Sequence, residues 1–141
     1  LFDEGSDKLK VRFQTILSDF FPRYVGVLKK YRLSIDEIRI EGHTSSVWRG
    51  GTPEDEAYIE NMRLSQMRTL SALQYVLALK ALETDRKWVK ELLTANGLSS
   101  SKLVRDPKTG QEDEGASRRV EFRVRTKADE SLTEILQEIS K

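Results

Sequence analysis

Strict two-residue alternation is the feature that most limits what this chain can fold into. Residues 119–125 read RVEFRVR, with apolar side chains at every second position and charged side chains between them. Residues 35–41, IDEIRIE, repeat the pattern from Glu37 onward, with Gly42 continuing the apolar face. Because successive side chains of a strand point to opposite faces, both stretches predict strands with one buried and one charged face. Acids and bases can pair across an antiparallel ladder, so we expect these strands to be neighbours in a sheet covered on one side.

Helical periodicity accounts for much of the remaining chain. Apolar residues recur every three or four positions over residues 9–28, which predicts an amphipathic helix that Pro22 should kink or split. Thr52–Pro53 is typical of a helix start, and we expect a short helix from there to Asn61. Three more helices are predicted: one capped by Ser65, one that holds Trp88 and stops at Asn96–Gly97, and one over residues 129–140 with Leu132, Ile135, Leu136 and Ile139 on its apolar face.

Two weaker strand candidates complete the predicted sheet. Leu1–Phe2 has the character of a strand end, and Lys102–Val104 is a short apolar stretch before a polar loop at residues 105–117. These bring the sheet to about four strands. Strands that alternate with helices, closed by a strand able to pair antiparallel, predict an α+β fold in which helices cover one face of a mixed sheet.

Composition excludes several classes of protein. The 141 residues suit a single domain with a real core. The formal net charge of +1 gives no overall attraction to nucleic acid, and no nucleic-acid partner is predicted. The absence of cysteine excludes a disulfide framework and a cysteine-based zinc site. The sequence begins at Leu1 rather than methionine, so we expect a fragment whose membrane anchor lies in an upstream segment.

Three short motifs occur in a fixed order. They are GHTS at 42–45, NMRLSQMR at 61–68 and SRRVEFRV at 117–124. Together they closely resemble the OmpA-like domain family (OmpA/MotB C-terminal domains), whose pattern is GHTD, NxxLSxxRA and NRRVE. The resemblance implies an OmpA-like α/β sandwich over residues 1–126, to which residues 127–141 add an amphipathic helix.

The resemblance also implies a function, the non-covalent binding of peptidoglycan through the diaminopimelate of its stem peptide. The free end of diaminopimelate carries an ammonium and a carboxylate. In the family, the aspartate of GHTD binds the ammonium and the arginine of LSxxR binds the carboxylate with two hydrogen bonds. By this resemblance Arg68 binds the carboxylate, Thr44 offers backbone contacts, Asn61 and Leu64 shape the wall, and Arg118 is a secondary contact. The full expected set is Thr44, Ser45, Ser46, Asn61, Leu64, Arg68 and Arg118, with no cofactor and no metal.

Ser45 departs from the family pattern at the aspartate position. A serine offers no charge to an ammonium, so we expect weak binding of the wall and a gain on substitution by aspartate. One alternative is that Glu54, Asp55 or Glu56 replaces the missing acid, although acids are also typical of the first turn of a helix. Another is that the chain kept the fold, lost wall binding and became a protein-interaction domain.

Several other residues allow two interpretations. For His43, the sole histidine, a structural hydrogen bond is favoured over a metal site, which would need carboxylates for its other ligands. Asn61 could line a binding site or end a helix, and Trp48 could stack on a ligand or hold the loop at residues 46–51. The sequence shows no nucleophile elbow, P-loop or paired buried acids, so an enzyme is not expected.

The sequence indicates the domain family more clearly than it indicates which full-length protein carries the domain. Outer-membrane barrels, lipoproteins and inner-membrane stator proteins all carry domains of this family. The enlarged loop after GHTS resembles the MotB-like stator branch, which includes the motor-like subunits of Zorya-type phage defence. The resemblance therefore implies a periplasmic location, in an inner- or outer-membrane-anchored protein of a Gram-negative bacterium. A homodimer is left open.

Overall fold

In the computed structural model, helices pack on one face of a three-stranded sheet. The structure describes residues 1–140, without the side chains of residues 129–133. The elements in chain order are α1 (Val11–Leu28), a 3-10 turn (Lys29–Ser34), β1 (Ile35–His43), α2 (Glu54–Leu77), a second 3-10 turn (Lys80–Leu82), α3 (Arg86–Leu92), β2 (Leu93–Gly97), α4 (Glu114–Ser117), β3 (Arg119–Thr126) and α5 (Lys127–Ile139).

The sheet is mixed, as the sequence predicts. Its strand order is β2-β1-β3, with β1 parallel to β2 and antiparallel to β3. Ile38 and Ile40 of β1 are fully buried on the inner face. The buried core against them comes mainly from α1, α2 and α3 and includes Phe13, Leu17, Phe21, Val25, Ala72, Val76 and Val89. The predicted α+β class with helices over one face is confirmed.

The opposite face of the sheet carries the charged ladder. The register places Arg39 opposite Arg123 and Glu41 opposite Glu121, so like charges face each other directly. The ion pair between the strands forms diagonally instead, with Arg123 Nε 2.8 Å from Glu41 Oε1. Glu41 is also paired along its own strand, with Arg39 Nε 3.1 Å from its Oε2. The predicted pairing of acids and bases is thus present, shifted to the diagonal neighbours that long side chains can reach.

The strands differ from the prediction at three places. Leu1–Phe2 and Lys102–Val104 do not form strands, whereas β2 does, so the sheet has three strands rather than about four. β2 ends in Asn96–Gly97, which the sequence had indicated as a helix stop. β2 has only five residues and ends in Asn-Gly, so its sequence alone hardly indicates a strand. It is a strand because it pairs in parallel with β1, which is distant in sequence.

Helix α2 is continuous, so the predicted short helix to Asn61 followed by a second helix capped at Ser65 is wrong. Asn61, Ser65 and Thr69 are buried at four-residue spacing on one face of α2. The hydroxyl of Ser65 donates to Met62 O (2.9 Å), and that of Thr69 to Ser65 O (3.0 Å). The hydroxyls of Ser65 and Thr69 thus donate within the helix. α1 likewise runs unbroken through Pro22, which was predicted to kink or split it.

Two glycines let α2 lie unusually close to the ends of the strands. Gly42 and Gly97 pair across β1 and β2. A Cβ on Gly97 would stand 2.4 Å from Gln66 N and 2.7 Å from Ser65 Oγ, and one on Gly42 would stand 2.8 Å from Thr69 Cγ2. This glycine seam, formed by Gly42, Gly97 and the α2 residues they face, fixes the position of α2 beside the end of β1.

The predicted C-terminal helix is present as α5, which lies beside β1 and β3. Three of its predicted apolar residues, Ile135, Leu136 and Ile139, are exposed, and Leu132 lies outside the described side chains. Over the part of the chain that the structure describes, no helix combines the length and apolar character needed to span a membrane.

Candidate functional site

A cleft of about 700 Å³ opens at the C-terminal end of β1. It is enclosed by the corner (residues 43–51), by α2, by the start of β3 and by residues 1–6, here called the N-terminal strap. Six of the seven predicted binding residues line it: Thr44, Ser45, Asn61, Leu64, Arg68 and Arg118. The seventh, Ser46, is not among the residues that line the cleft.

Arg68 is held by the N-terminal strap. Its Nε donates to the carbonyl oxygen of Ser6 (2.8 Å), and its Nη2 donates to that of Asp3 (3.0 Å). The ring of Phe2 lies under the guanidinium, with 4.8 Å between Cζ and the ring centroid. Burial, reinforced by the nearby charge of Arg118 and opposed by that of Asp7, lowers the pKa of Arg68 from its usual value, although a guanidinium stays charged at neutral pH. Arg68 is therefore a fixed cation on the cleft wall and not a freely solvated side chain.

The contacts of the guanidinium with Asp3 O, Ser6 O and the ring of Phe2, here called the clamp on Arg68, leave some of its N–H donors free. A guanidinium has five N–H donors, and the strap uses one on Nε and one on Nη2. No described carboxylate lies within 4.0 Å of Arg68, so no ion pair takes up its remaining donors. The remaining donors, on Nη1 and Nη2, can accommodate a ligand carboxylate end-on.

Asn61 fixes the backbone of the corner. Its Nδ2 donates to the carbonyl oxygens of Ser45 and Val47, both at 3.2 Å. Thr44 N donates to Ser99 O (2.9 Å). The backbone amide of Thr44 is thus engaged within the protein, whereas the resemblance implies that Thr44 offers backbone contacts to a ligand. Asn61 lies in mid-helix, so of its two interpretations helix termination is wrong, and its side chain shapes the wall by holding the corner.

Ser46 is turned towards the loop that precedes β3. Its N donates to Glu112 Oε1 (2.8 Å), and its hydroxyl donates to the other carboxylate oxygen of Glu112. Glu112 also forms an isolated antiparallel bridge with Arg105. The polar loop thereby supports the corner from behind. Sequence reasoning missed this contact, because the two residues stand 66 positions apart and share no motif.

The acids that might replace the family aspartate lie elsewhere. Glu54, Asp55 and Glu56 form the first turn of α2 and are absent from the cleft lining. The alternative in which one of them supplies the missing charge therefore lacks support. Among the described residues that line the cleft, the sole acid is Glu4 of the N-terminal strap, which is exposed.

Two further arginines line the cleft that the sequence analysis did not place there. Arg49 lies in the corner, with its guanidinium 5.8 Å from the ring centroid of Trp48, and Arg119 begins β3. Trp48 itself is half-buried and lines the cleft. For Arg119 the sequence did contain a signal, its place beside Arg118. Neighbouring arginines at the start of a strand point to opposite faces but lie close enough to border the same cleft.

His43 is buried beside the acids of the charged ladder. Neither ring nitrogen has a described hydrogen-bond partner within 3.5 Å, so the predicted structural hydrogen bond is not formed at normal length. Nε2 lies 3.6 Å from Glu41 Oε1 and 3.9 Å from Glu121 Oε2, just beyond hydrogen-bond distance. Burial chiefly, and then the charge of Arg119, lower the pKa of His43, whereas both acids oppose the shift.

These three side chains bring potential metal ligands within 4.8 Å of one another. The carboxylates are nevertheless already bound by arginines. Arg123 Nε lies 2.8 Å from Glu41, and Arg119 Nε lies 2.7 Å from Glu121. A metal ion would have to displace Arg123 and tolerate Arg119, so the charge balance of the cluster does not favour a cation.

Comparison with known proteins shows what the whole chain is similar to. No protein-family model matches the chain. It is 51% identical over 138 residues to the Zorya protein ZorB of Escherichia coli, and the match covers 98% of this chain and 58% of that protein. The chain thus spans little more than half the length of this relative.

Two solved structures share the fold. The periplasmic domain of Helicobacter pylori MotB is 16% identical, with a TM-score of 0.60 over 99% of this chain and 78% of that chain. The cell wall anchor of the type VI secretion system from Pseudomonas aeruginosa is 24% identical, with a TM-score of 0.54 over 89% of this chain and 75% of that one.

Proposed function

We propose that this chain, which is 51% identical to part of ZorB and shares the fold of a MotB periplasmic domain, is an OmpA-like domain that binds peptidoglycan non-covalently. The wall contact runs through the diaminopimelate stem peptide. The domain thereby anchors a cell-envelope protein to the wall and performs no catalysis itself.

One observation carries the proposal, the state of Arg68. It is a partly buried cation, held in place by two carbonyl oxygens and an aromatic ring, and it faces a polar corner across an open cleft. No described carboxylate lies within 4.0 Å of Arg68, although the more distant Asp7 favours its charged form. The guanidinium therefore keeps N–H donors and a charge that a ligand carboxylate can bind.

The parent assembly belongs to the same proposal. Homology to a Zorya protein and a fold shared with a MotB domain support a stator-type complex that this domain ties to the wall. The location would be periplasmic, in a protein that a membrane segment outside residues 1–141 anchors. The homodimer stays a prediction.

Co-sedimentation with purified diaminopimelate-type peptidoglycan tests the proposal. Arg68→Ala should lose most of the wild-type binding, and Arg68→Lys should recover little, because an ammonium lacks the planar fork that binds a carboxylate with two hydrogen bonds. Arg63→Ala is the matched control. Arg63 lies on the same helix, is largely exposed and does not line the cleft.

Thermal melts separate a lost ligand contact from a lost fold. Removing Arg68 also frees the two strap carbonyls, so we expect a loss of about 1–3 kcal/mol in the free energy of unfolding, with the domain still folded. If Arg68→Ala sediments with the wall as the wild type does, the assigned site is wrong.

Ser45 favours a second candidate, a protein-interaction domain that kept the fold and lost wall binding. Its side chain offers no charge to an ammonium, and the lone acid of the cleft lining is exposed. In that case neither the wild type nor the control would sediment with the wall.

A further inference from the structure

The charges on the cleft wall are strongly unbalanced. Four arginines line it, at positions 49, 68, 118 and 119, against one exposed acid, Glu4. His43, which also lines the cleft, adds no charge at neutral pH, because its pKa lies below the usual value. A ligand in this cleft therefore meets a positive wall.

Not all of these arginines are available to a ligand to the same degree. Arg119 is paired with Glu121 at 2.7 Å, and Arg118 lies 3.7 Å from Glu114 across a solvent-exposed pair. Arg49, which is exposed, and Arg68 have no described carboxylate within 4.0 Å, although Asp7 acts on Arg68 from farther away. These two cations lie on the corner and on α2, the two sides of the cleft where the family motifs meet.

The corner contains no anion that could hold an ammonium. Ser45 is buried, and its carbonyl oxygen already accepts from Asn61 and from the hydroxyl of Thr44. Glu112, the acid adjoining the corner, has both carboxylate oxygens bound by Ser46 and does not line the cleft. An ammonium placed here would lose its water without gaining a counter-charge.

We infer that the cleft selects stem peptides whose diaminopimelate amine is acylated over those with a free amine. The amine is acylated in a cross-link. This inference rests on the proposed function. Acylation converts the ammonium to a neutral amide and leaves the neighbouring carboxylate intact. The ligand end then changes from a zwitterion to an anion, which matches Arg49 and Arg68. The preference would direct the domain to mature, cross-linked wall.

Two muropeptides that differ by one acetyl group test the preference. The first is a disaccharide tetrapeptide with a free diaminopimelate amine, and the second is the same molecule acetylated on that amine. Calorimetric titration of the 141-residue protein should show the acetylated ligand binding at least about fivefold more tightly. That is the effect of two like charges about 4 Å apart even in bulk water. A third ligand, with the adjacent carboxylate amidated, should bind weakly in either form.

Two variants make the result specific. Ser45→Asp restores an anion at the corner and should reverse the order, so that the free amine binds about tenfold more tightly than in the wild type. Glu4→Gln should leave the preference unchanged, because Glu4 is exposed and screened by solvent.

Each outcome decides between the ideas. Equal binding of the two ligands, or tighter binding of the free amine, overturns the inference and leaves the wall-binding proposal standing. A selective loss of the free-amine ligand in Glu4→Gln would also overturn it, because the strap would then supply the anion. If no ligand binds the wild type, the proposed function itself fails.

Discussion

Substituting Gly97 by alanine should destabilise the domain more than any other single methyl addition at its glycines. The new Cβ would stand 2.4 Å from the backbone nitrogen of Gln66 and 2.7 Å from Ser65 Oγ. Ordinary contacts begin near 3.4 Å, so α2 would have to move away from β2 by about 1 Å. Neither neighbouring backbone can give way alone, because α2 and β2 are both regular elements.

The magnitude follows from three contributions. Overpacking of a filled site costs about 1–3 kcal/mol. The shift also strains the hydrogen bond from Ser99 N to Ser65 Oγ, which is 3.1 Å long and contributes about 1 kcal/mol. The lower entropy of alanine in the unfolded chain offsets about 0.4–1 kcal/mol. We expect a net loss of about 1–3.5 kcal/mol, which lowers the melting temperature of a domain of this size by about 3–12 °C.

Gly26→Ala is the matched control for this substitution. Gly26 lies within α1, and a Cβ there would meet no atom within 4 Å. Because alanine is the better helix former, we expect this variant to be more stable by about 0.5–1 kcal/mol. Urea unfolding followed by circular dichroism measures both. A Gly97→Ala variant within about 0.5 kcal/mol of the wild type would show that the glycine seam is not a close-packed contact.

Three shorter predictions concern the corner and the strap. Asn61→Ala should lower the free energy of unfolding in urea by about 1–3 kcal/mol, because two corner carbonyls lose their donor; a cost below that range would mean that water replaces the amide. His43→Gln should flatten the pH dependence of stability. The folded pKa of His43 lies below its unfolded value of 6.5. The contribution of neutral His43 to stability is therefore fully present above pH 6.5 and is lost as the pH falls through the folded pKa. An equal slope in the variant would assign that dependence to other groups. Phe2→Leu should cost about 0.5–1 kcal/mol by removing the ring beneath Arg68, measured by the same unfolding assay, whereas an unchanged midpoint would show that the ring contributes only apolar bulk.

The parts of the fold that sequence predicted well are those encoded by local pattern. The alternation at residues 119–125 and 35–41 predicted β3, β1, their pairing and the buried face. β2 could not be found this way, because its five residues form a strand only through the parallel contact with β1. α2 was divided in two for a related reason. Its polar residues Asn61 and Ser65 look like the end of one helix and the cap of the next until their buried partners are known.

The candidate site was predicted where a motif names a side chain and missed where backbone provides the contact. Arg68 and Asn61 were found through their place in NMRLSQMR. The hydrogen bonds of the clamp on Arg68 are accepted by the carbonyl oxygens of Asp3 and Ser6, which any residue at those positions would supply, so no sequence signal marks them. Glu112 was missed because a contact across 66 residues has no local signature.

Because of the clamp, the side chain of Arg68 loses its rotamer entropy during folding and not during ligand binding. A free arginine carries about 2 kcal/mol of rotamer entropy, which a ligand would have to remove on binding. Here the strap carbonyls and the ring of Phe2 immobilise the guanidinium as the domain folds. The cleft is therefore preorganised on its Arg68 side, and a carboxylate that enters it finds its partner already in place. Weak individual contacts can then yield useful affinity, since the conformational cost was met during folding rather than during binding.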